Sequence, residues 1–349
     1  MINFGDRLKN ARKMKGLSLQ DLSDRMQNTV SKQDLSRFEN GDLEPDSKNL
    51  ESICSALDVT LDYFFRNISV SLENIEFRKL KRLSVKEGEK IKSCTSEYLE
   101  RYFELESIMG IDNTFPFPQK SYKINSSQDI ENAAQNIRNY LHCGNDPIFN
   151  LVGLLEDYHI KVIWINAPYS FSGLSTIINN KVGIIVLNSN DEIPVVRKRF
   201  TALHELGHLV LDLSNHEEKA SEKFCDSFAS AILLPGEKLK EAFGGWRDKV
   251  YPQELKMIKQ SYGISLPAIM QRAFALDLIS ASHLKYFSIR YNQYYRTQEP
   301  FGYNGRERSD RFMQLIIRGI AQGIISSSKG AAFNNQSLSQ FRSTMLDFS

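Results

Sequence analysis

The chain is poor in cysteine. Its four thiols, Cys54, Cys94, Cys143 and Cys225, lie far apart, and no C-x-x-C pair occurs. That spacing excludes a disulfide framework and a thiolate zinc site, and it fits a reducing, cytoplasmic setting. Long apolar runs are also lacking. None approaches the ~18 residues that mark a membrane helix, so no membrane partner is expected. The opening segment MINFGDRLKNARKMKG is charged throughout, without the apolar core of a secretory signal. Neither sign of charge dominates: 44 Lys and Arg stand against 42 Asp and Glu. Bulk charge therefore says nothing for nucleic acid, and any such reading must come from local pattern. Internal repeats and low-complexity tracts are missing too. What is present is a 41% hydrophobic chain of 349 residues. At roughly 100–200 residues per domain, that predicts two or three domains.

The pattern divides the chain into four parts. Residues 1–66 carry apolar residues at helical spacing, such as Leu19, Leu22 and Met26, broken at Gly16, Asn28 and Asn40-Gly41. Residues 67–127 read as a helical spacer and linker. Their helical stretch, Phe77 to Met109, is either a solvated spacer with one apolar face or a dimerisation or docking helix. The linker is placed at 112–127, around Pro116 and Pro118. Residues 128–285 are mixed. Strands are predicted at 159–165 and 182–187, and helices at 130–141, 148–158, 195–213 and 219–234. Residues 286–349 end in helical pieces around 311–325 and 338–346.

The strongest signal is His204-Glu205-Leu206-Gly207-His208. On a helix, positions i and i+4 share a face, so two imidazoles can serve one metal. Glu205 then stands beside the first ligand, where a general base is needed. A third ligand is required. Glu222, on the next helical pattern, is well placed, and Asp226 lies one turn on, where it can accept the free imidazole N–H of a ligating histidine. His216 is the competing third ligand. Cys225 reads as a small buried helix residue. The oxyanion stabiliser is open among Tyr262, Arg272, His216 and a tyrosine beyond 285. The segment Gly183–Leu187 is a candidate edge strand for substrate backbone, its alternative being an interior strand.

Arg197–Leu211, RKRFTALHELGHLVL, resembles the R-x-R-F-T-x-A-H-E-L-G-H block of the ImmA/IrrE metallo-endopeptidases. Glu222–Pro235, EKFCDSFASAILLP, resembles their second block, with Cys225 and Asp226 in place of alanine and asparagine. Glu222 falls on the family's glutamate ligand. Downstream, YGISLPAIMQR places Ser265 and Arg272 on a family helix. The resemblance covers about 128–285. It implies a zincin-like α+β peptidase domain with an HExxH helix and a small sheet, and a zinc ion (manganese being the alternative) on His204, His208 and Glu222.

Residues 17–41 read as helix, turn, helix. Ser31 caps SKQDLSRFENG, whose Leu35 and Phe38 point inward. Ser31, Lys32, Gln33, Ser36 and Arg37 are the candidate DNA contacts, since Gln and Arg suit the edges of adenine and guanine in the major groove. The turn Gln27–Val30 is about two residues longer than is usual for the motif. The span resembles an XRE-type (lambda-repressor-like) helix-turn-helix. Ten Lys and Arg face eleven Asp and Glu in 1–66, so phosphate contact is assigned to a basic strip of Arg7, Lys9, Arg12, Lys13 and Lys15.

The expectation is thus an α+β chain: an all-α DNA-binding domain, a helical spacer, a peptidase domain and a helical C-terminal region. The resemblance implies a regulatory zinc protease acting on a transcriptional repressor, or on itself at 112–127, in stress, mobile-element or phage-related control. Double-stranded DNA and a repressor are the expected partners, with homodimerisation left open. The alternative is a non-proteolytic regulator or antitoxin-like protein that uses the peptidase fold as a sensor.

Overall fold

Short polar side chains start the N-terminal helices. Asn3 accepts from the Asp6 N–H at the head of α1 (Phe4–Met14). Ser18 and Asp21 form a reciprocal capping box on α2 (Leu19–Arg25). Ser31 caps α3 (Lys32–Asn40), which Gly41 ends at φ +77°, a conformation that favours glycine. Asp46 caps α4 (Ser47–Leu57), and α5 (Leu61–Phe65) follows. Each cap satisfies a backbone donor that the first helical turn leaves unpaired. The apolar faces meet in one core of Leu8, Leu22, Leu35, Phe38, Ile53 and Leu57. This computed structural model describes residues 3–66, 83–112, 120–178, 181–295 and 299–346. It divides into two units, Met1–Asn113 with Asp310–Ser349, and Thr114–Ser309.

The helix expected from Phe77 begins later among the described residues, as α6 (Val85–Ile108) behind a Ser84–Glu87 capping box. It is no solvated spacer. Ile91, Leu99, Tyr102 and Leu105 are buried. So are several of its charges, of which Glu97, Glu100 and Arg101 are ion-paired. Glu100 meets Arg7 of α1 at 2.9 Å, and Glu97 meets Arg66 at 3.0 Å. Arg7 also donates to the Arg66 carbonyl at 2.7 Å. Helix α6 therefore docks on the helix-turn-helix within its own chain. Residues 67–82 lie outside the described residues.

In the second unit, part of the expected linker is folded. Strand β1 (Tyr122–Lys123) precedes α7 (Ser127–Tyr140), which Ser126 and Asp129 cap. Residues 113–119 of the expected self-cleavage segment, Pro116 and Pro118 among them, lie outside the described residues. Helix α8 (Leu151–Asp157) leads to β2 (Lys161–Ile165), β3 (Gly173–Ile178) and β4 (Val182–Asn188). Their order is β2-β4-β3, with β2 parallel and β3 antiparallel to β4. Every residue of β4 is buried. Gly183–Leu187 is therefore interior, because β4 is paired on both sides; the strand at the margin, beside the helix that carries the HExxH segment, is β3. Helix α9 (Val195–Val210) runs directly into β5 (Leu211–Asp212), which pairs in parallel with β1. Helix α10 (Glu218–Leu233) packs across α9. Helices α11 (Gly236–Phe243), α12 (Pro252–Tyr262), α13 (Leu266–Ala275) and α14 (Ala281–Tyr295) complete the unit. The aromatic run YFSIRYNQYY lies in α14; Phe287 and Tyr291 pack on the core while Tyr286 and Tyr294 face out.

Residues 299–309 remain with this unit, held by Glu307 on the buried Arg199 and by Asn150 on Arg308. The C-terminal helices α15 (Arg311–Ala321), α16 (Ser327–Phe333) and α17 (Leu338–Leu346) belong to the first unit. Phe312, Leu315, Ile316 and Phe333 pack with Tyr102 and Leu105 of α6. The fold is α+β, with helices dominant and two small sheets among the described residues.

Candidate metal centre and DNA-reading helix

Helix α9 sets the two histidines on one face, and α10 brings the carboxylate. The close approach depends on Gly207, inside the HExxH segment. A Cβ there would meet Cys225 Sγ and the Phe228 ring, both at 3.2 Å. With glycine at 207 and cysteine at 225, α10 lies close enough for Glu222 to reach both imidazoles. Its carboxylate oxygens stand 3.2 Å from His204 Nε2 and 3.3 Å from His208 Nε2. The two Nε2 atoms are 3.1 Å apart. All three donor atoms lie within 4.8 Å of one another. Two imidazoles and one carboxylate are the donor set of a catalytic zinc site that keeps a coordination position open. His204 Nδ1 lies 2.8 Å from Asp226 Oδ1. With its proton on Nδ1, the ring donates to Asp226 and turns the Nε2 lone pair toward the cluster.

Glu205 is almost fully buried. Its carboxylate accepts from the Ser175 hydroxyl at 2.9 Å. Ser175 lies on β3, a strand with no expectation attached to it, so the sequence reading missed this residue. A polar residue within a strand at the sheet margin was the only available signal.

Other candidates fall elsewhere. His216 Nε2 meets the Ile124 carbonyl at 2.6 Å and is not in the cluster. Cys225 faces Gly207 in the α9–α10 core, as its apolar reading expects. Ser265 caps α13. Arg272 is buried and bidentate on Glu131, at 2.7 and 2.8 Å, so its guanidinium serves packing. The Tyr262 hydroxyl faces the Asn145 carbonyl, and burial pushes that phenol up from its ordinary value. Arg199, from the same block as the histidines, is fully buried and ties α9 to the carbonyls of Ile148 and Gly263.

On the first unit, α3 presents Lys32, Gln33 and Arg37 outward, with Ser36 half-buried. The Ser31 hydroxyl is engaged in capping, bonded to Asp34. Arg37 lies 3.8 Å from Asp34 and keeps about half its side chain exposed. The long turn places Gln27 and Asn28 at φ +54° and +57°. The basic strip needs correction. Arg7 is buried on Glu100, and Arg12 is bidentate on Glu39 at 2.6 and 2.8 Å. Lys13 and Lys15 pair with Glu89 and Asp58. Only Lys9 of the five is classed as exposed. The arginines of α1 hold the helices together, which leaves Lys9 as the exposed cation of the expected strip.

Comparison with known families agrees with both halves. Residues 8–64 match a family model described as helix-turn-helix. Residues 149–274 match a peptidase-family model described as IrrE N-terminal-like domain. No curated protein matches the chain. The chain thus joins an XRE-type helix-turn-helix to an IrrE/ImmA-like domain of peptidase type. No described helix is long and apolar enough to cross a membrane.

Proposed function

We propose that this chain is a DNA-binding, zinc-dependent endopeptidase whose substrate is a transcriptional repressor. The observation that carries the reading is the convergence of His204, His208 and Glu222 beside Glu205, in a chain that also carries a helix-turn-helix. His204, His208 and Glu222 hold the ion, and Asp226 orients His204. Manganese suits the same donors less well than zinc, since it prefers oxygen ligands. When bound, zinc supplies Lewis acidity to a peptide carbonyl and to the attacking water.

The chain's own residues do the rest. Glu205 takes the water's proton and returns it to the leaving amine. Ser175 fixes the carboxylate that carries this proton. Among the described residues β3 pairs only with β4, and its other side is offered to an extended substrate, which would add as a further strand and pass along α9. On the first unit, Lys32, Gln33, Ser36 and Arg37 read base edges, while Ser31 sets the start of the reading helix. DNA binding brings the protease to a DNA-bound repressor. The cytoplasm is the setting in which both partners occur.

The test is to express the chain, or its Glu205→Gln variant, with the repressors encoded beside it. Loss of one repressor with the wild type alone supports the reading. Equal loss with both proteins, or with neither, contradicts it.

A further inference from the structure

Helix α9 and strand β3 run side by side, and three contacts in a row join them. Arg197 donates to the Ser172 hydroxyl at 3.2 Å, just ahead of β3. Four residues on, Thr201 closes on Gly173, where a Cβ would meet its Cγ2 at 2.8 Å. Four residues further, Glu205 accepts from Ser175. Both elements therefore advance in the same direction. Arg197 to Glu205 spans roughly 12 Å of helix, and Ser172 to Ser175 spans roughly 10 Å of extended chain. The two lengths agree, so Arg197 stands about three extended residues from the Glu205 carboxylate.

The charge of Arg197 is not neutralised in place. Arg199, Arg247 and Arg272 of the same unit pair with Glu307, Glu254 and Glu131. Arg197 instead donates to two hydroxyls, that of Ser172 and that of Tyr169, the latter at 2.9 Å. Its guanidinium also lies 5.0 Å from the centre of the Tyr169 ring. Among the described residues no carboxylate forms an ion pair with it; Asp191 acts on the neighbouring Lys198. Arg197 and Ser172 are half-buried, and Tyr169 is exposed. A hydroxyl that accepts from a guanidinium keeps its own proton to donate. The three groups can therefore present a planar cation and two O–H donors to one incoming carboxylate.

We infer that Arg197, with Tyr169 and Ser172, forms a subsite for an acidic side chain of the cleaved protein, about three residues from the scissile bond. This rests on the proposed function and names its substrate class. A substrate strand laid on β3 with its scissile bond at Glu205 passes Arg197 at that spacing. An aspartate or glutamate there gains charge-assisted hydrogen bonds. A lysine there meets a like charge, so selection comes from repulsion as well as attraction.

The test uses decapeptide pools, random except for one position fixed as Glu, Gln or Lys, with that position moved along the peptide. The wild type is incubated with each pool, and mass spectrometry locates every cut. The same pools are passed over immobilised, zinc-loaded Glu205→Gln protein, and the retained peptides are sequenced, which reads the subsite without turnover. Both readouts should favour Glu over Gln by about five- to tenfold, and the cuts should place that position some three residues from the bond, on one side. The preference should shrink as salt rises. In either background Arg197→Gln should abolish it and Arg197→Lys should keep part of it. Arg197→Glu should turn it toward Lys, a reversal that a folding defect cannot produce. Cleavage without acidic preference, or a preference that survives in Arg197→Gln, overturns the subsite and leaves the peptidase reading standing. Retention of acidic peptides that depends on Arg197, with no cleavage by the wild type, supports the subsite and contradicts the peptidase reading. Neither retention nor cleavage overturns both.

Discussion

The Ser175 hydroxyl donates to the Glu205 carboxylate at 2.9 Å, bridging the marginal strand β3 and helix α9. One strand thus packs beside α9 and holds the carboxylate that the proposed function makes its proton carrier. Ser175→Ala should lower kcat for a cleaved peptide by about 10–100-fold, since a hydrogen bond to a charged group contributes roughly 1.5–3 kcal/mol. KM and zinc content should change little. Ser175→Thr keeps the hydroxyl and should recover most of the rate. A loss of rate shared equally by Ala and Thr variants would point to packing instead.

Asp226 touches His204, not the ion's place. Asp226→Ala should weaken zinc affinity by about 10–100-fold, as for other orienting partners of metal-bound histidines. Competition with a chromogenic chelator measures it. Asp226→Asn keeps an acceptor oxygen for the imidazole N–H and should lose less. Unchanged affinity in Asp226→Ala would remove this residue from the site.

Arg7 and Arg37 should separate stability from DNA reading. Arg7→Met removes the buried ion pair to Glu100 and should destabilise the first unit by about 3–5 kcal/mol. Chemical denaturation followed by circular dichroism checks this. Arg37→Ala should leave unfolding unchanged. It should cost about 1–3 kcal/mol of specific DNA affinity and relax one base position, as read by binding-site selection. The opposite pattern would restore Arg7 to the DNA surface.

Acid should loosen the start of α7. The Asn125 backbone N–H and the Ser126 hydroxyl hold the Asp129 carboxyl below its ordinary value. A carboxylate whose pKa is lower folded than unfolded adds stability above the unfolded value, about 4. That contribution disappears as pH falls through the folded value. The wild type should therefore exceed Asp129→Ala in thermal stability at neutral pH, and the gap should close on acidification. Asp21 and Glu87 are lowered in the same way by Ser18 and Ser84. A gap independent of pH would exclude the charge as its source.

Much of this architecture was legible because local chemistry wrote it. Helix α17 falls on the expected 338–346, and α9 and α10 begin within a residue of expectation, because their periodicity is long and clean. Strand β3 was missed since Gly173–Ile178 is short and carries two polar residues. The spacing that suggested Glu222 reflects two helices packed through Gly207. What stayed hidden was pairing over long separations. No local pattern tells that Arg7 meets Glu100, 93 positions on. An exposed basic strip and a buried clamp look alike in sequence, and the burial of Glu97 and Glu100 decided between them. Likewise β4 reads as any apolar strand, and only its two neighbours make it interior.

The central claim is that Glu205, beside a metal held by His204, His208 and Glu222, cleaves peptide bonds. The most direct measurement is N-terminal profiling of cells that express either the wild type or Glu205→Gln, with zinc content of both proteins determined in parallel. The account predicts equal zinc in the two proteins and new internal N-termini with the wild type alone. Identical N-terminal profiles from the two proteins, both fully loaded with zinc, would contradict it.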